Sequence, residues 1–116
     1  MRRSLFAFML LGLAFTVQAQ ISRVEHHNRY YRIYNEQGRE VKAVSDQIGQ
    51  LVGYGNTFFI VRKNNFYLLC DEQGRQYKSL STSIGEVVTV SGETFTVRSK
   101  GGFTTVYDRQ GNPMPR

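Results

Sequence analysis

Two adjacent histidines, His26 and His27, a single cysteine, Cys70, and the carboxylates Glu36, Glu40, Asp71, Glu72 and Asp108 are the residues that could do chemistry in this chain. On an extended segment neighbouring side chains point to opposite faces, so the two histidines cannot share one ion. No other cluster of Cys, His or acid has the spacing of metal ligands. Asp71-Glu72 lacks the further oxygen ligands that a calcium loop requires. A glycosidase pair would have to be drawn from different parts of the chain, and no apolar surrounding marks one member as the acid. Nucleophile-elbow, phosphate-loop and dinucleotide fingerprints are missing. Cys70 stands where matching stretches hold Tyr34 and Tyr107, in "YNEQG", "CDEQG" and "YDRQG". It therefore reads as a packing residue rather than a nucleophile. The expectation is a protein that is not an enzyme and uses no cofactor or metal.

The elements that position these residues follow from an internal repeat. "YNEQGREVKAVSDQIGQLVGYGNTF" recurs thirty-six positions on as "CDEQGRQYKSLSTSIGEVVTVSGETF". One inserted residue ahead of Thr94 then aligns Thr57-Phe58 with Thr94-Phe95, and Phe66 with Phe103. A partial third copy runs from Phe103 to the end, and "ISRVEHHNRY" is a degraded copy upstream. Val, Ile, Thr, Tyr and Phe dominate each unit, and helical periodicity is missing after residue 20. Asn35–Gly38, Asp71–Gly74 and Asp108–Gly111 suit tight turns, with Gly38, Gly74 and Gly111 supplying positive φ. "KNN" and "KGG" suit a second hairpin turn. The predicted fold is all-β, an antiparallel meander of about nine to eleven short strands. It is built from two and a half ~36-residue, four-strand repeats, arranged as propeller-like blades or as a small sandwich or open barrel.

"VRKNNFYLLCDEQGRQYKSL" and "FTTVYDRQGNPM" resemble the WG-type (KWG-like) β repeats, whose units run "kngkyGyiDxxGk". The resemblance covers most of the chain after residue 20, although the chain has no Trp. It implies an all-β repeat module used for binding or scaffolding, and it supplies no catalytic residues.

The first nineteen residues predict an address. "MRRS" is a basic start, "LFAFMLLGLAFTV" an apolar core, and "VQA" a small-residue cleavage site, so residues 1–19 read as a secretory signal cleaved before Gln20. The apolar run is shorter than the ~20 residues of a membrane span, which argues against a stable membrane anchor. Residues 20–116 are then a single domain, exported to the periplasm or secreted. Removing Arg2 and Arg3 takes the formal net charge from +6 to +4, and the remaining thirteen Lys and Arg are spread singly apart from Arg62-Lys63. That spread, with export, speaks against nucleic acid. Surface contact with acidic polymers is a third-ranked reading, tested by salt-sensitive retention on heparin-like resin.

The middle hairpin, Phe58 to Cys70, is apolar on both faces, whereas its relatives alternate. Flanking units could cover it on both sides, which is the preferred reading. Alternatively Phe59, Val61, Tyr67 and Leu68 form an exposed interaction surface. The functional expectation is a non-catalytic exported β-repeat module that binds a protein or glycan of the cell envelope, or helps assemble an envelope complex. The alternative is a self-associating homo-oligomer whose repeat array is completed by a second chain.

Overall fold

Runs of β-branched and aromatic residues between Asn-, Asp- and Gly-bearing turns become strands because such side chains suit a pleated, half-buried surface. The computed structural model describes residues 20–115, and the proposed leader lies outside the described residues. Ten strands follow one another: β1 (Arg23–His27), β2 (Tyr30–Tyr34), β3 (Glu40–Ser45), β4 (Gln50–Tyr54) and β5 (Phe58–Lys63), then β6 (Phe66–Asp71), β7 (Gln76–Ser81), β8 (Glu86–Ser91), β9 (Thr94–Arg98) and β10 (Thr104–Asp108). They pair into three antiparallel sheets, β1-β2-β3, β4-β5-β6-β7 and β8-β9-β10. The fold is thus an all-β meander, with no closed barrel among the described residues.

The turns repeat as the sequence does. The carboxyl or amide oxygen of Asn35, Asp71 and Asp108 accepts hydrogen bonds from the second and fourth backbone N–H that follow, at 2.9–3.0 Å. Gly38, Gly74 and Gly111 close these turns at φ of 80°, 81° and 88°, a region that favours glycine. Single 3-10 turns, Asp46–Ile48 and Thr82–Ile84, carry the chain from one sheet to the next. Ser45 and Ser81 cap them, accepting from the N–H of Gln47 and Ser83.

Strand register shows where the extra residue of the third copy sits. Gln50 pairs with Arg62 and Leu51 with Val61, just as Glu86 pairs with Arg98 and Val87 with Val97. The offset therefore stays at thirty-six through β9, and the insertion lies in the β9–β10 turn. Arg62 pairs with Tyr67 across a four-residue gap, but Arg98 pairs with Thr104 across five. This corrects the sequence alignment: Phe59 and Val61 are the counterparts of Phe95 and Val97. Phe58 and Ile60 correspond to Thr94 and Thr96.

The middle sheet is buried on both faces. Phe59, Val61 and Cys70 pack against Tyr31 and Ile33 of the first sheet. Phe58, Ile60, Tyr67 and Leu69 pack against Phe95 and Val97 of the third. On the outer sheets the faces turned away mix ion pairs and hydroxyls with exposed Tyr30 on the first and Val106 on the third. Arg23–Glu25 and Arg32–Glu40 ion pairs cover the first, with Arg23 3.9 Å from the Tyr34 ring centroid. On the third sheet, Thr94 and Thr96 replace the Phe58 and Ile60 of the sheet before it.

Each junction between sheets is tied by a tyrosine. The Tyr31 hydroxyl donates to the Gly49 carbonyl at 2.7 Å and accepts from Leu51 N at 3.0 Å. Tyr67 does the same one repeat later, donating to Gly85 O at 2.9 Å and accepting from Val87 N at 3.4 Å. Thr104 stands at this position in the last copy, opposite Arg98 as Tyr67 is opposite Arg62. Tyr67→Phe should cost about 1–3 kcal/mol, because a part-buried carbonyl and N–H lose their partner. A urea melt checks this, and Tyr31→Phe should behave alike.

Candidate functional site

The sequence-predicted surface is not a surface within this chain. Phe59 and Val61 are 0 % exposed, Tyr67 is buried and Leu68 is half-buried. Tyr67 also faces the third sheet whereas the other three face the first, since alternate residues of a strand lie on opposite faces. The middle hairpin is core because a neighbouring sheet stands on either side of it.

The chemistry-bearing residues are likewise dispersed. Register places His26 opposite Tyr31 and His27 opposite Tyr30, hence on opposite faces. His26 Nε2 lies 3.0 Å from Asp46 Oδ2, and its ring centroid 4.6 Å from that of Tyr31. Asp71 and Asp108 each hold their own turn N–H groups. Among the described residues no three His, Cys, Asp or Glu side chains are placed to hold a metal ion.

Cys70 is fully buried, and its thiol is pushed up to about 12, by burial first and by the nearby Asp71 charge second. Below that value it stays a thiol, and the thiolate is the reactive form. Native protein should resist a thiol reagent at pH 8 and label only on unfolding, as a timed labelling experiment would show. The linkage has a definite sign. A raised folded pKa stabilises below the ordinary value of 9.0, and that stability is lost as pH climbs from there toward about 12.

What the structure does gather is one end of the stack, where the β1–β2, β5–β6 and β9–β10 hairpin tips lie beside the two 3-10 turns. Backbone bonds tie tips to turns: Asp46 N donates to Arg29 O, and Thr82 N to Asn65 O, both at 2.9 Å. Asn28, Arg29 and Asn64 accept positive φ at these tips, and Gly102 does so in the longer third one. Immediately after each tip stands an exposed aromatic: Tyr30 at 44 %, Phe66 at 48 % and Phe103 at 76 %. Each follows its tip in the same place, so the three form a row with one ring per sheet.

Charge is sorted between the two ends. The tip end carries Arg29, Arg62, Lys63, Arg98 and Lys100 against Asp46 and Glu86. The opposite end carries Glu36, Asp71, Glu72, Glu93 and Asp108 against Arg39, Arg75 and Arg109. Between the second and third sheets the tip end opens into a cleft of about 390 Å³, lined by Arg62, Tyr67, Thr82, Glu86, Arg98 and Lys100 among others. Glu86 is the one carboxylate among the lining residues, and Arg98 holds it at 3.2 Å. Such a lining can bind anionic groups, and it contains no second carboxylate for acid–base work. In the equivalent place between the first and second sheets, His26 sits on Tyr31, and Lys63 Nζ donates to Gln47 O at 3.0 Å.

The aromatic row is hard to see in the sequence because aromatics are ordinary strand residues. Its one sequence signal is an aromatic directly after each tip, in "NRY", "NNF" and "GGF". The charge sorting had no sequence signal, since residues far apart in the chain meet only when strands run up and down.

Compared with family profiles, curated proteins and solved structures, the chain gives no match.

Proposed function

We propose that this chain is a non-catalytic, exported β-repeat module of WG-like type that binds a protein or glycan of the cell envelope through its hairpin-tip end. One observation carries the reading: every sheet presents an exposed aromatic at the same position, although such side chains gain by burial. Exposed aromatics in register, beside a basic cleft, are what a binding surface needs, because rings supply contact area at low entropic cost. The test is a pull-down from envelope extract with native protein and with a Tyr30→Ser/Phe66→Ser/Phe103→Ser variant. The native bait should retain a partner that the variant loses at unchanged melting temperature. Retention by both would remove the tip end from the account.

Self-association is the second reading, favoured by the first sheet having three strands where the middle sheet has four. The outer edge of β1 is where the fourth would pair; among the described residues no strand lies on it, and its N–H and C=O groups can accept a strand from another copy. Light scattering separates the two readings: a stable dimer supports edge pairing, and a clean monomer supports the binding module.

A further inference from the structure

We infer that the cleft between the second and third sheets seats an acidic side chain of a protein partner, an inference that rests on the binding reading above and chooses protein over glycan. The two junctions between sheets start from the same plan. At the end away from the tips both are closed by backbone: Ile21 N donates to Asn56 O at 2.6 Å, and Asn56 N to Gly92 O at 2.7 Å. Toward the tips the chain fills the first junction with its own side chains. His26 lies against Tyr31 with its Nε2 3.0 Å from Asp46 Oδ2, and Lys63 Nζ reaches Gln47 O.

One repeat later the same positions hold different chemistry. Arg62 pairs with Tyr67 as His26 pairs with Tyr31, and Thr82 opens the second 3-10 turn as Asp46 opens the first. Ser83 and Ser99 stand where the first junction has Gln47 and Lys63. The second junction therefore has a permanent cation in place of an imidazole and a hydroxyl in place of the carboxylate facing it. It also lacks a long bridging side chain, and it opens into the cleft of about 390 Å³. The lining sets Arg62, Arg98 and Lys100 against Glu86, which Arg98 already holds. Among the described residues Arg62 and Lys100 make no ion pair. A carboxylate from outside can take the place that Asp46 takes in the first junction, and the planar guanidinium of Arg62 suits it through two parallel N–H bonds. A protein supplies that group in the form of Asp46 itself, on a short side chain of a peptide. Phe66, next to Tyr67, and Phe103, in the tip of Ser99 and Lys100, are exposed and offer rings to apolar neighbours of the acid.

The test is calorimetric titration of the purified protein with capped hexaglutamate, capped hexaglutamine and a galacturonate hexamer. Hexaglutamate should bind, hexaglutamine should not, and binding should weaken between low and physiological salt. Arg62→Gln should lower hexaglutamate affinity roughly tenfold, the scale of one charge-assisted hydrogen bond. Thr82→Asp supplies the internal carboxylate of the first junction and should lower affinity at least as far, with the melting temperature kept or raised. Gln37→Asp, on an exposed turn at the opposite end, makes the same change in net charge and should bind as the native protein does. Equal losses in Thr82→Asp and Gln37→Asp would reduce the effect to overall charge and overturn the seat, as would hexaglutamate binding that ignores Arg62→Gln. Equal or tighter binding of the galacturonate hexamer would overturn the choice of a protein. If hexaglutamate fails to bind while the serine variant still loses its envelope partner, the binding module stands and this seat falls. If the serine variant loses nothing either, both fall together.

Discussion

Phe59→Ala should lower the stability of this protein by about 3–5 kcal/mol, the range for emptying a fully buried aromatic site. Small domains hold about 5–15 kcal/mol in all, so the variant should melt far below the native chain or fail to accumulate. The size of the effect follows from place. Phe59 is 0 % exposed, lies on β5 opposite Cys70, and fills the space between the first and second sheets with Val61, Tyr31 and Ile33. Its neighbours there, Ile21, Tyr31, Ile33 and Val61, are themselves buried and can relax only in part into the cavity. Phe95→Ala, at the same position one sheet later, should cost a similar amount. Its ring lies 6.3 Å from Phe58 and stacks on Tyr107 at 5.2 Å. A thermal melt of both variants beside the native protein checks the claim. A shift of a degree or two for Phe59→Ala would mean that this face of the middle sheet is not covered in solution.

Gly85→Ala should be nearly as damaging, for a different reason. Gly85 ends the second 3-10 turn at φ 130°, where an L side chain is strained. A Cβ placed there would also meet the Arg98 carbonyl oxygen at 2.3 Å and the Ser99 Cα at 2.9 Å. Both are backbone atoms of the next sheet and cannot swing aside. The strain and the clash add, so the loss should exceed the ~1–3 kcal/mol of an unfavourable backbone conformation alone. Gly49, one repeat earlier, faces the Arg62 carbonyl at 2.8 Å and should follow suit. Gly38 is the control. It too has positive φ, at 80°, but nothing lies within 4 Å of its would-be Cβ. Gly38→Ala should therefore pay the backbone term only. Urea melts of Gly85→Ala and Gly38→Ala read the difference directly; equal losses would show that the contact with the third sheet adds nothing.

These two glycines mark the boundary between what the chain says locally and what folding adds. Strand type, turn position and the repeat were legible in the residues, because each depends on neighbours a few positions away. Asn35, Asp71 and Asp108 bond their own turn amides, Gly38, Gly74 and Gly111 supply positive φ there, and β-branched runs between turns form strands wherever they can pair. The close approach at Gly49 and Gly85 was not legible, since the atoms that forbid a Cβ belong to strands more than ten residues away.

The same division explains the misplaced insertion. Read as text, "TFF" and "TFT" invite Thr57-Phe58 to align with Thr94-Phe95. Because side chains alternate along a strand, a shift by one residue exchanges the two faces of β5. Only pairing with β4 and β8 decided that Phe59 matches Phe95, and with it which sheet each ring faces. Composition alone determined that one hairpin is apolar on both faces; the presence of a sheet on each side determined that it is core. The candidate site lies furthest from the sequence. Arg29, Arg62 and Lys100 are scattered along the chain and read as solvating charges. An antiparallel meander returns every second turn to the same end of the stack, and that topology sets these cations beside Tyr30, Phe66 and Phe103.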